Sequence, residues 1–202
     1  MQIFETYLKC NYCDNHFTRL NLLSGNTFGA KLYSDCYRYA PMLPAPIELE
    51  LCTECHRFNW LRDLTEIENL SPEAKVQDAI RMDISTTIKA IDESCYTELG
   101  QEVYLRTQLW WAFNDRVREG KPLFEHTNEE QIWADNLFKF LELLKREIID
   151  HLIMEIEIQR NFGNFEEALR LLATVSKDYK SIADQFEHHI LMKYKLVFKL
   201  EP

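Results

Sequence analysis

Two pairs of cysteines in the first sixty residues have the type and spacing of a metal site. The pairs are Cys10-Asn11-Tyr12-Cys13 and Cys52-Thr53-Glu54-Cys55. A C-x-x-C pair lets two thiolates reach one ion from a single tight turn, and two such pairs complete the tetrahedron that Zn²⁺ prefers in structural sites. The spacing therefore predicts a Zn²⁺ cofactor bound by Cys10, Cys13, Cys52 and Cys55.

The long stretch between the pairs leaves other ligands open. Residues 14–51 separate the two pairs, whereas a simple zinc ribbon has about 15–20 residues there, so the pairing requires an insertion. Cys36 lies in that insertion and could replace one ligand, and His16 and His56 are alternative ligands beside the pairs. Two disulfides, or four free thiols without an ion, are the interpretations that compete with a metal site.

The residues around each pair predict the strands that position it. In Ile47-Glu48-Leu49-Glu50-Leu51 apolar and acidic residues alternate, which indicates a strand with one buried face and one acidic, exposed face. Residues 6–9 before the first pair show a weaker alternation, and Phe58–Trp60 alternate after the second pair. A strand, a cysteine turn and a second strand are the plan of a zinc ribbon.

The composition indicates a folded, acidic protein. The chain has 202 residues, 46% of them hydrophobic, and a formal net charge of −10 at pH 7. Residues 1–70 contain 6 Lys or Arg against 9 Asp or Glu, and residues 71–202 contain 17 against 24. Because non-specific nucleic-acid binding requires basic residues that neutralise phosphates, this balance weighs against a generic nucleic-acid partner.

The cysteines and the N-terminus predict a cytoplasmic protein. Met1-Gln2-Ile3-Phe4-Glu5 lacks the basic and apolar regions of a signal peptide. No run approaches the ~18 apolar residues of a membrane span. Six cysteines in a chain without an export signal indicate a reducing compartment. We therefore expect a cytoplasmic location and no membrane partner.

Beyond residue 70 the apolar residues recur with the period of a helix. Ser71, Pro72 and Glu73 form a helix-start pattern, so a domain boundary is predicted between residues 1–70 and 71–202. The predicted helices cover residues 72–94, 98–118, 128–144, 146–161, 164–176 and 180–194. The predicted fold class is α+β, with a small β-rich zinc-ribbon-like module followed by helices packed as antiparallel pairs.

One turn between predicted helices resembles a known repeat. Asn161-Phe162-Gly163-Asn164-Phe165-Glu166-Glu167-Ala168-Leu169-Arg170-Leu171-Leu172 resembles the turn between the two helices of a tetratricopeptide repeat. Gly163 follows a predicted helix, and a glycine in that position takes the left-handed conformation that ends the helix. The resemblance covers residues 146–176 and implies a repeat-like helix pair. Lys180 stands where the motif has a proline, and no second copy follows.

The arrangement of the whole chain also resembles a group of bacterial proteins. These proteins combine an N-terminal paired C-x-x-C module with a C-terminal tetratricopeptide-like segment. The stretches that carry the resemblance are residues 24–31, Ser-Gly-Asn-Thr-Phe-Gly-Ala-Lys, and residues 109–116, Leu-Trp-Trp-Ala-Phe-Asn-Asp-Arg. The resemblance implies no activity.

Aromatic and basic residues supply the candidates for partner binding. Tyr33 and Tyr37, with Lys31 and Arg38, either form a binding surface or cover the zinc core. Adjacent residues of a helix cannot face one core together, so one of the indoles of Trp110 and Trp111 is a further candidate.

No phosphate-binding loop and no catalytic motif accompanies these residues. Gly25 and Gly29 lack the Lys-Ser/Thr of a phosphate loop. We therefore expect a zinc-binding, non-enzymatic protein that binds or scaffolds protein partners. The alternative is a zinc-ribbon nucleic-acid-binding or regulatory protein.

Overall fold

The computed structural model describes residues 2–201 and is a mixed α+β structure. Its strands are β1 (Gln2–Lys9), β2 (His16–Ser24), β3 (Lys31–Tyr33), β4 (Arg38–Tyr39), β5 (Leu49–Leu51), β6 (Phe58–Trp60), β7 (Thr65–Ile67), β8 (Val76–Asp78) and β9 (Lys199–Leu200). Its helices are α1 (Ile84–Asp92), α2 (Leu99–Arg118), α3 (Glu129–Leu143), α4 (Ile149–Phe162), α5 (Phe165–Leu172) and α6 (Lys180–Leu191). The predicted fold class is confirmed at this level, with a β-rich N-terminal region and six described helices.

Contacts divide the chain into two compact units. The first unit contains residues 1–30 and 40–95, and the second contains residues 31–39 and 96–202. We call them the cysteine unit and the helical unit. The division differs from the predicted domains, because residues 71–95 belong with the cysteines and residues 31–39 belong with the helices. The domain assignment itself stays a prediction.

The cysteine unit is built on two antiparallel hairpins. β1 pairs with β2 along its whole length, and β5 pairs with β6. β7 joins the β1 edge in antiparallel fashion, and β8 joins the β2 edge in parallel, giving the strand order β7-β1-β2-β8. The buried core of this unit combines apolar side chains with two of the cysteines; its members are Leu8, Cys10, Phe17, Cys52, Leu61 and Leu64.

The predicted first helix begins twelve residues too early. Residues 76–78 form β8, which pairs with residues 16–18 of β2, and α1 begins at Ile84. Asp83 is the effective cap, because its carboxylate accepts the Thr86 N–H at 2.7 Å. Val76 and Ile80, which a helix over residues 72–94 would place on one apolar stripe with Ile84, are exposed. Strand pairing therefore overrides the local helix-start pattern at Ser71.

The β5 strand also differs from its prediction in one respect. Leu49 is buried as expected, but Glu50 on the face predicted to be exposed is only 3% exposed. Its carboxylate accepts the backbone N–H of Ile80, and burial raises the pKa of Glu50 to about 7 against the opposing effect of that N–H. The segment after β8 covers this face, which alternation within β5 cannot reveal.

The helical unit follows its predicted periodicity closely. The five predicted helices after residue 96 are present, and their ends agree with the structure within about four residues. Gly163 ends α4 with φ 84°, the left-handed conformation predicted for it. α4, α5 and α6 share one apolar core, whose largest members are Ile156, Phe186 and Phe198. The tetratricopeptide-like arrangement stays a prediction.

Aromatic side chains fill the interior between α2, α3 and α4. Trp110, Phe113 and Phe140 are completely buried, and Trp110 packs edge-on against Phe140 with ring centroids 6.0 Å apart. The exposed Phe138 stacks on Phe162 at 4.6 Å. Helix packing therefore buries most of the aromatic residues that could have lined a groove.

In the described part of the chain, no helix has both the length and the apolar character to cross a bilayer.

A buried carboxylate joins the start of α3 to the end of α2. Both guanidinium Nη atoms of Arg116 donate to Glu129, at 2.7 and 3.0 Å, and the Glu125 N–H donates to it at 2.6 Å. The Arg116 hydrogen bonds hold the pKa of Glu129 at about 2, below its ordinary 4.5. A lowered carboxyl pKa stabilises the fold above pH 4.5, and the stabilisation is lost as pH falls toward 2.

We predict that Glu129→Gln lowers the free energy of unfolding at pH 7 by about 1–2 kcal/mol, because a neutral amide replaces charge-assisted hydrogen bonds. The difference from the natural chain should shrink between about pH 4.5 and 2. Urea denaturation followed by helical circular dichroism measures it. The exposed neighbour provides the control, since Glu130→Gln should change stability by less than about 0.5 kcal/mol. Equal effects of both changes would contradict the assignment.

Candidate metal centre

Each cysteine pair lies in the turn of a two-stranded hairpin. The first pair falls between β1 and β2, and the second falls between β5 and β6. The two turns close in the same way. The Cys10 N–H donates to the Asn15 carbonyl at 2.9 Å, and the Cys52 N–H donates to the Arg57 carbonyl at 3.0 Å. Both bonds join residues five apart, so each turn brings its two cysteines to the same end of a hairpin.

The two turns bring the four predicted ligands together. The sulfur atoms of Cys10, Cys13, Cys52 and Cys55 all lie within 4.8 Å of one another. Across the two turns, the Cys10 and Cys55 sulfurs are 3.8 Å apart, and the Cys13 and Cys52 sulfurs are 3.6 Å apart. All six cysteines are free thiols, so neither pair is a disulfide. Four sulfurs in this arrangement can hold one metal ion.

The alternative ligands lie outside the cluster. Among residues 2–201, these four cysteines are the one group of His, Cys, Asp or Glu side chains close enough to share an ion. Cys36 belongs to the helical unit. His56 serves the second turn through its backbone, because it takes φ 55°, the left-handed conformation that glycine usually supplies after a cysteine pair. Asp14, after the first pair, does not take this conformation.

Amide side chains surround the sulfurs and fix the second turn. Asn15 Nδ2 lies 3.4 Å from the Cys52 sulfur and donates to Gln77 Oε1 at 2.6 Å. Gln77 in turn accepts the Thr53 N–H at 2.8 Å and donates to the Leu51 carbonyl at 3.0 Å. Gln77 lies on β8, so the strand that replaced the predicted helix holds the second cysteine turn in position.

Four thiols this close cannot all ionise without a counter-charge. The Asn15 N–H lowers the pKa of Cys13, but burial and the neighbouring thiols outweigh it and raise that pKa to about 12. Burial also opposes ionisation of Cys52, but the Cys55 N–H and the Asn15 amide lower the pKa of Cys52 to about 7. One thiolate therefore forms readily, and a bound cation would bring the others into the ionised state.

The residues predicted to bind a partner are divided between core and surface. Trp110 is completely buried, and its Nε1–H donates to Asn161 at 3.3 Å. Trp111 is half-buried and lies edge-on to Tyr37, with ring centroids 5.1 Å apart. Tyr33 is half-buried beside them. Their role in partner binding stays a prediction.

The two basic residues of that set are exposed. Lys31 lies on β3 and Arg38 on β4, in an antiparallel hairpin. The whole stretch Lys31–Tyr39 belongs to the helical unit by its contacts. Both interpretations of these residues, a binding surface and a cover for the zinc core, stay predictions.

Sequence reasoning missed the polar residues that support both regions. Asn15 and Gln77 at the cysteine cluster, and Asp35, Arg118, Glu157 and Arg160 in the helical unit, were not singled out. The sequence contains only a weak signal for these polar residues. Glu157, Arg160 and Asn161 interrupt the apolar residues of α4, but such interruptions usually lie on an exposed face. The partners come from distant parts of the chain.

Comparisons of the chain with known protein families, with curated proteins and with solved structures found no match. The proposals below therefore rest on the chemistry of the described residues.

We predict that Gln77→Ala weakens metal binding by about 10–100-fold, because it removes the amide that holds Asn15 and the second cysteine turn. Titration with Co²⁺, whose absorption reports sulfur coordination, in competition with a chelator measures the affinity. Asp78→Ala changes the next, exposed residue of the same strand and should leave the affinity within about threefold. If both variants bind equally, Gln77 does not support the site.

Proposed function

We propose that the four cysteines bind one structural Zn²⁺. In a tetrahedral site with Zn–S bonds of about 2.3 Å, neighbouring sulfurs lie about 3.8 Å apart. The closest sulfur pairs across the two turns, at 3.8 and 3.6 Å, fit this spacing and carry the proposal. Four protein ligands leave no coordination position for water or substrate, which is the arrangement of a structural site.

The proposed ion would join the β1–β2 hairpin to the β5–β6 hairpin. The apolar core around the cysteines is small, and small modules commonly depend on a metal for stability. The residues of the chain contribute charge, orientation and shielding: the thiolates neutralise the ion, and the amides of Asn15 and Gln77 fix the second turn.

We infer further that the protein works without catalysis, as an interaction or scaffolding protein. The observation that carries this is the set of exposed apolar side chains where the β1–β2 hairpin extends beyond its neighbouring strands. β7 pairs with residues 7–9 of β1, and β8 pairs with residues 16–18 of β2. Residues 2–6 and 19–24 continue beyond both neighbours as a two-stranded arm. We call this stretch the hairpin arm.

The hairpin arm exposes apolar side chains. Ile3, Phe4, Leu20 and Leu23 are exposed, with Leu23 at 67%. A two-stranded hairpin alone is marginally stable in water. Free strand edges next to exposed apolar groups are typical of surfaces on which another protein packs. The exposed apolar side chains of the hairpin arm therefore favour the binding of a protein partner.

A second candidate function is nucleic-acid binding. Lys31 and Arg38 are exposed on adjacent strands, and the Lys31 ammonium lies 5.9 Å from the Tyr39 ring centroid. Basic and aromatic groups together can contact phosphates and stack on bases. Two basic residues in a chain with a net charge of −10 supply few phosphate contacts, so this function ranks second.

We predict that protein purified without chelator contains about one zinc per chain, because one four-thiolate site holds one ion. Mass spectrometry of the elements in the intact protein measures it. Cys52→Ser should lose the metal. Cys95→Ser should retain it, because Cys95 lies outside the cluster. Absence of metal, or equal loss in both variants, would reject the site, and iron in place of zinc would reject the proposed identity.

We predict that proteins captured from native lysate by the tagged full chain are lost in the variant Leu20→Ser/Leu23→Ser, because it removes apolar contact area from the hairpin arm. Leu191→Ser is the matched control, since Leu191 on α6 is equally exposed at 66%. Quantitative mass spectrometry compares the captured proteins.

Nuclease treatment of the same lysate separates the two candidate functions. Capture that survives the treatment supports protein interaction. Capture that disappears, together with filter binding of RNA or DNA that weakens steeply with salt, would favour the nucleic-acid function. The variant Lys31→Ala/Arg38→Ala should reduce binding in that case alone.

A further inference from the structure

The stretch Lys31–Tyr39 forms a compact hairpin with a polar tip. β3 and β4 pair in antiparallel register, and the turn is closed by the Tyr33 N–H donating to the Tyr37 carbonyl at 3.0 Å. The Cys36 N–H donates to the Tyr33 carbonyl at 3.0 Å, and Cys36 takes φ 61°. Ser34 and Asp35 lie at the tip, and both are completely buried in the helical unit.

Three side chains of α2 bind Asp35. Asn114 Nδ2 donates to its carboxylate at 2.8 Å, and the Arg118 guanidinium forms an ion pair with the same oxygen. The Trp111 Nε1–H donates to the Asp35 backbone carbonyl at 2.9 Å. The Arg118 guanidinium, the Asn114 amide and the Trp111 indole therefore all donate to Asp35. The two groups that donate to its side chain favour a carboxylate at this position.

Ser34 is bound by α4 and by the backbone of Phe198, the residue before β9. Its hydroxyl donates to Glu157 Oε1 at 2.8 Å and accepts the Phe198 N–H at 3.1 Å. Its own N–H donates to the Phe198 carbonyl at 2.9 Å. Glu157 is in turn paired with Arg160, whose Nε lies 2.9 Å from it. The hydroxyl therefore completes a network of buried charges.

Aromatic contacts and strand pairing complete the recognition of the hairpin. The Arg118 guanidinium lies 4.8 Å from the Tyr33 ring centroid and 4.3 Å from that of Tyr37, within the range of cation–π attraction. β3 pairs with β9 in antiparallel register, with Leu32 opposite Leu200. The hairpin thereby adds strands to the edge of β9, a recurring mode of peptide recognition.

The chain connectivity makes the hairpin resemble a tethered ligand. The residues on both sides of it, 1–30 and 40–95, belong to the cysteine unit. The contacts to Ser34 and Asp35 described above come from residues 111–198. We call the set Trp111, Asn114, Arg118, Glu157 and the backbone of Phe198 the receptor site.

We propose that the receptor site is a peptide-binding site, and that its ligand is a β-hairpin with Ser-Asp at the tip and tyrosines on either side. The hairpin of the same chain occupies the site in the structure. The proposal deepens the interaction role proposed above and rests on it, since it gives the helical unit a definite ligand chemistry. Tethering presents the ligand at an effective concentration of about millimolar, so a free ligand competes poorly with it.

The test uses the full chain with its own hairpin removed from the site. In the emptied variant, residues 33–37 are replaced by Gly-Ser-Gly-Ser-Gly. The probe is a cyclised, fluorescein-labelled peptide of residues 31–39, and fluorescence anisotropy reports its binding. We expect saturable binding to the emptied variant, and at least 100-fold weaker binding to the natural chain, whose site is occupied.

Two altered peptides test the recognition chemistry. Asp35→Asn should weaken binding about 100-fold, because a buried charge pair is lost. Arg38→Ala is the matched control and should stay within about threefold, because Arg38 is exposed on β4. Equal binding of the Asn peptide, or equal binding of the probe to the natural and emptied chains, would overturn the proposal.

Circular dichroism covers the case in which the emptied variant does not fold. Recovery of helical signal on addition of the natural peptide, and not of the Asn peptide, would support the proposal. No recovery with either peptide would overturn it. Since the peptide binds α2 and α4 rather than the hairpin arm, this result is independent of the lysate experiment, and failure of one proposal is distinguishable from failure of the other.

Discussion

The pairing of buried charges constrains the helical unit more than any other interaction. Asp35, Glu157 and Arg160 are completely buried, and the Arg118 side chain is 7% exposed. Transfer of a charge into a protein interior costs several kcal/mol unless an opposite charge and hydrogen bonds replace its hydration. Asp35 of the hairpin pairs with Arg118 of α2, whereas Glu157 pairs with Arg160 within α4 and accepts the Ser34 hydroxyl. The network therefore ties the hairpin to both helices. Apolar contacts alone tolerate more variation.

Polar side chains of α4 also bind a C-terminal segment that has little regular structure. The Arg160 guanidinium donates to the Leu196 carbonyl at 2.8 Å, and the Asn161 amide donates to the Lys195 carbonyl at 2.6 Å. These bonds hold the C-terminal strand against α4, and that strand in turn pairs with the Lys31–Tyr39 hairpin. The cysteine unit meets the opposite problem. Its four thiols would repel one another when ionised, and a bound cation would offset that repulsion.

Sequence patterns correctly predicted the features that depend on interactions between residues close in sequence. The apolar period placed α2 to α6, the glycine preference for left-handed backbone placed the end of α4, and the C-x-x-C spacing found all four clustered cysteines. The errors arose where a distant segment competes with local preference. β8 formed in place of a helix because β2 offers a strand edge, and Glu50 is buried because the segment at Ile80 covers it. Asp35 and Arg118 lie 83 residues apart, so no local pattern links them.

The buried ion pair of Asp35 and Arg118 is better explained by specificity than by stability. Replacement of a buried pair by apolar residues of similar volume is often neutral or stabilising, whereas removal of one partner is strongly destabilising. If the contact at this position were apolar, many loops of similar shape could bind there. The Arg118 guanidinium, which lies near the rings of Tyr33 and Tyr37, requires a carboxylate at one position. The chain inserts this hairpin between its two cysteine pairs, and the charge pair would let the helical unit distinguish it from loops that lack a carboxylate at this position.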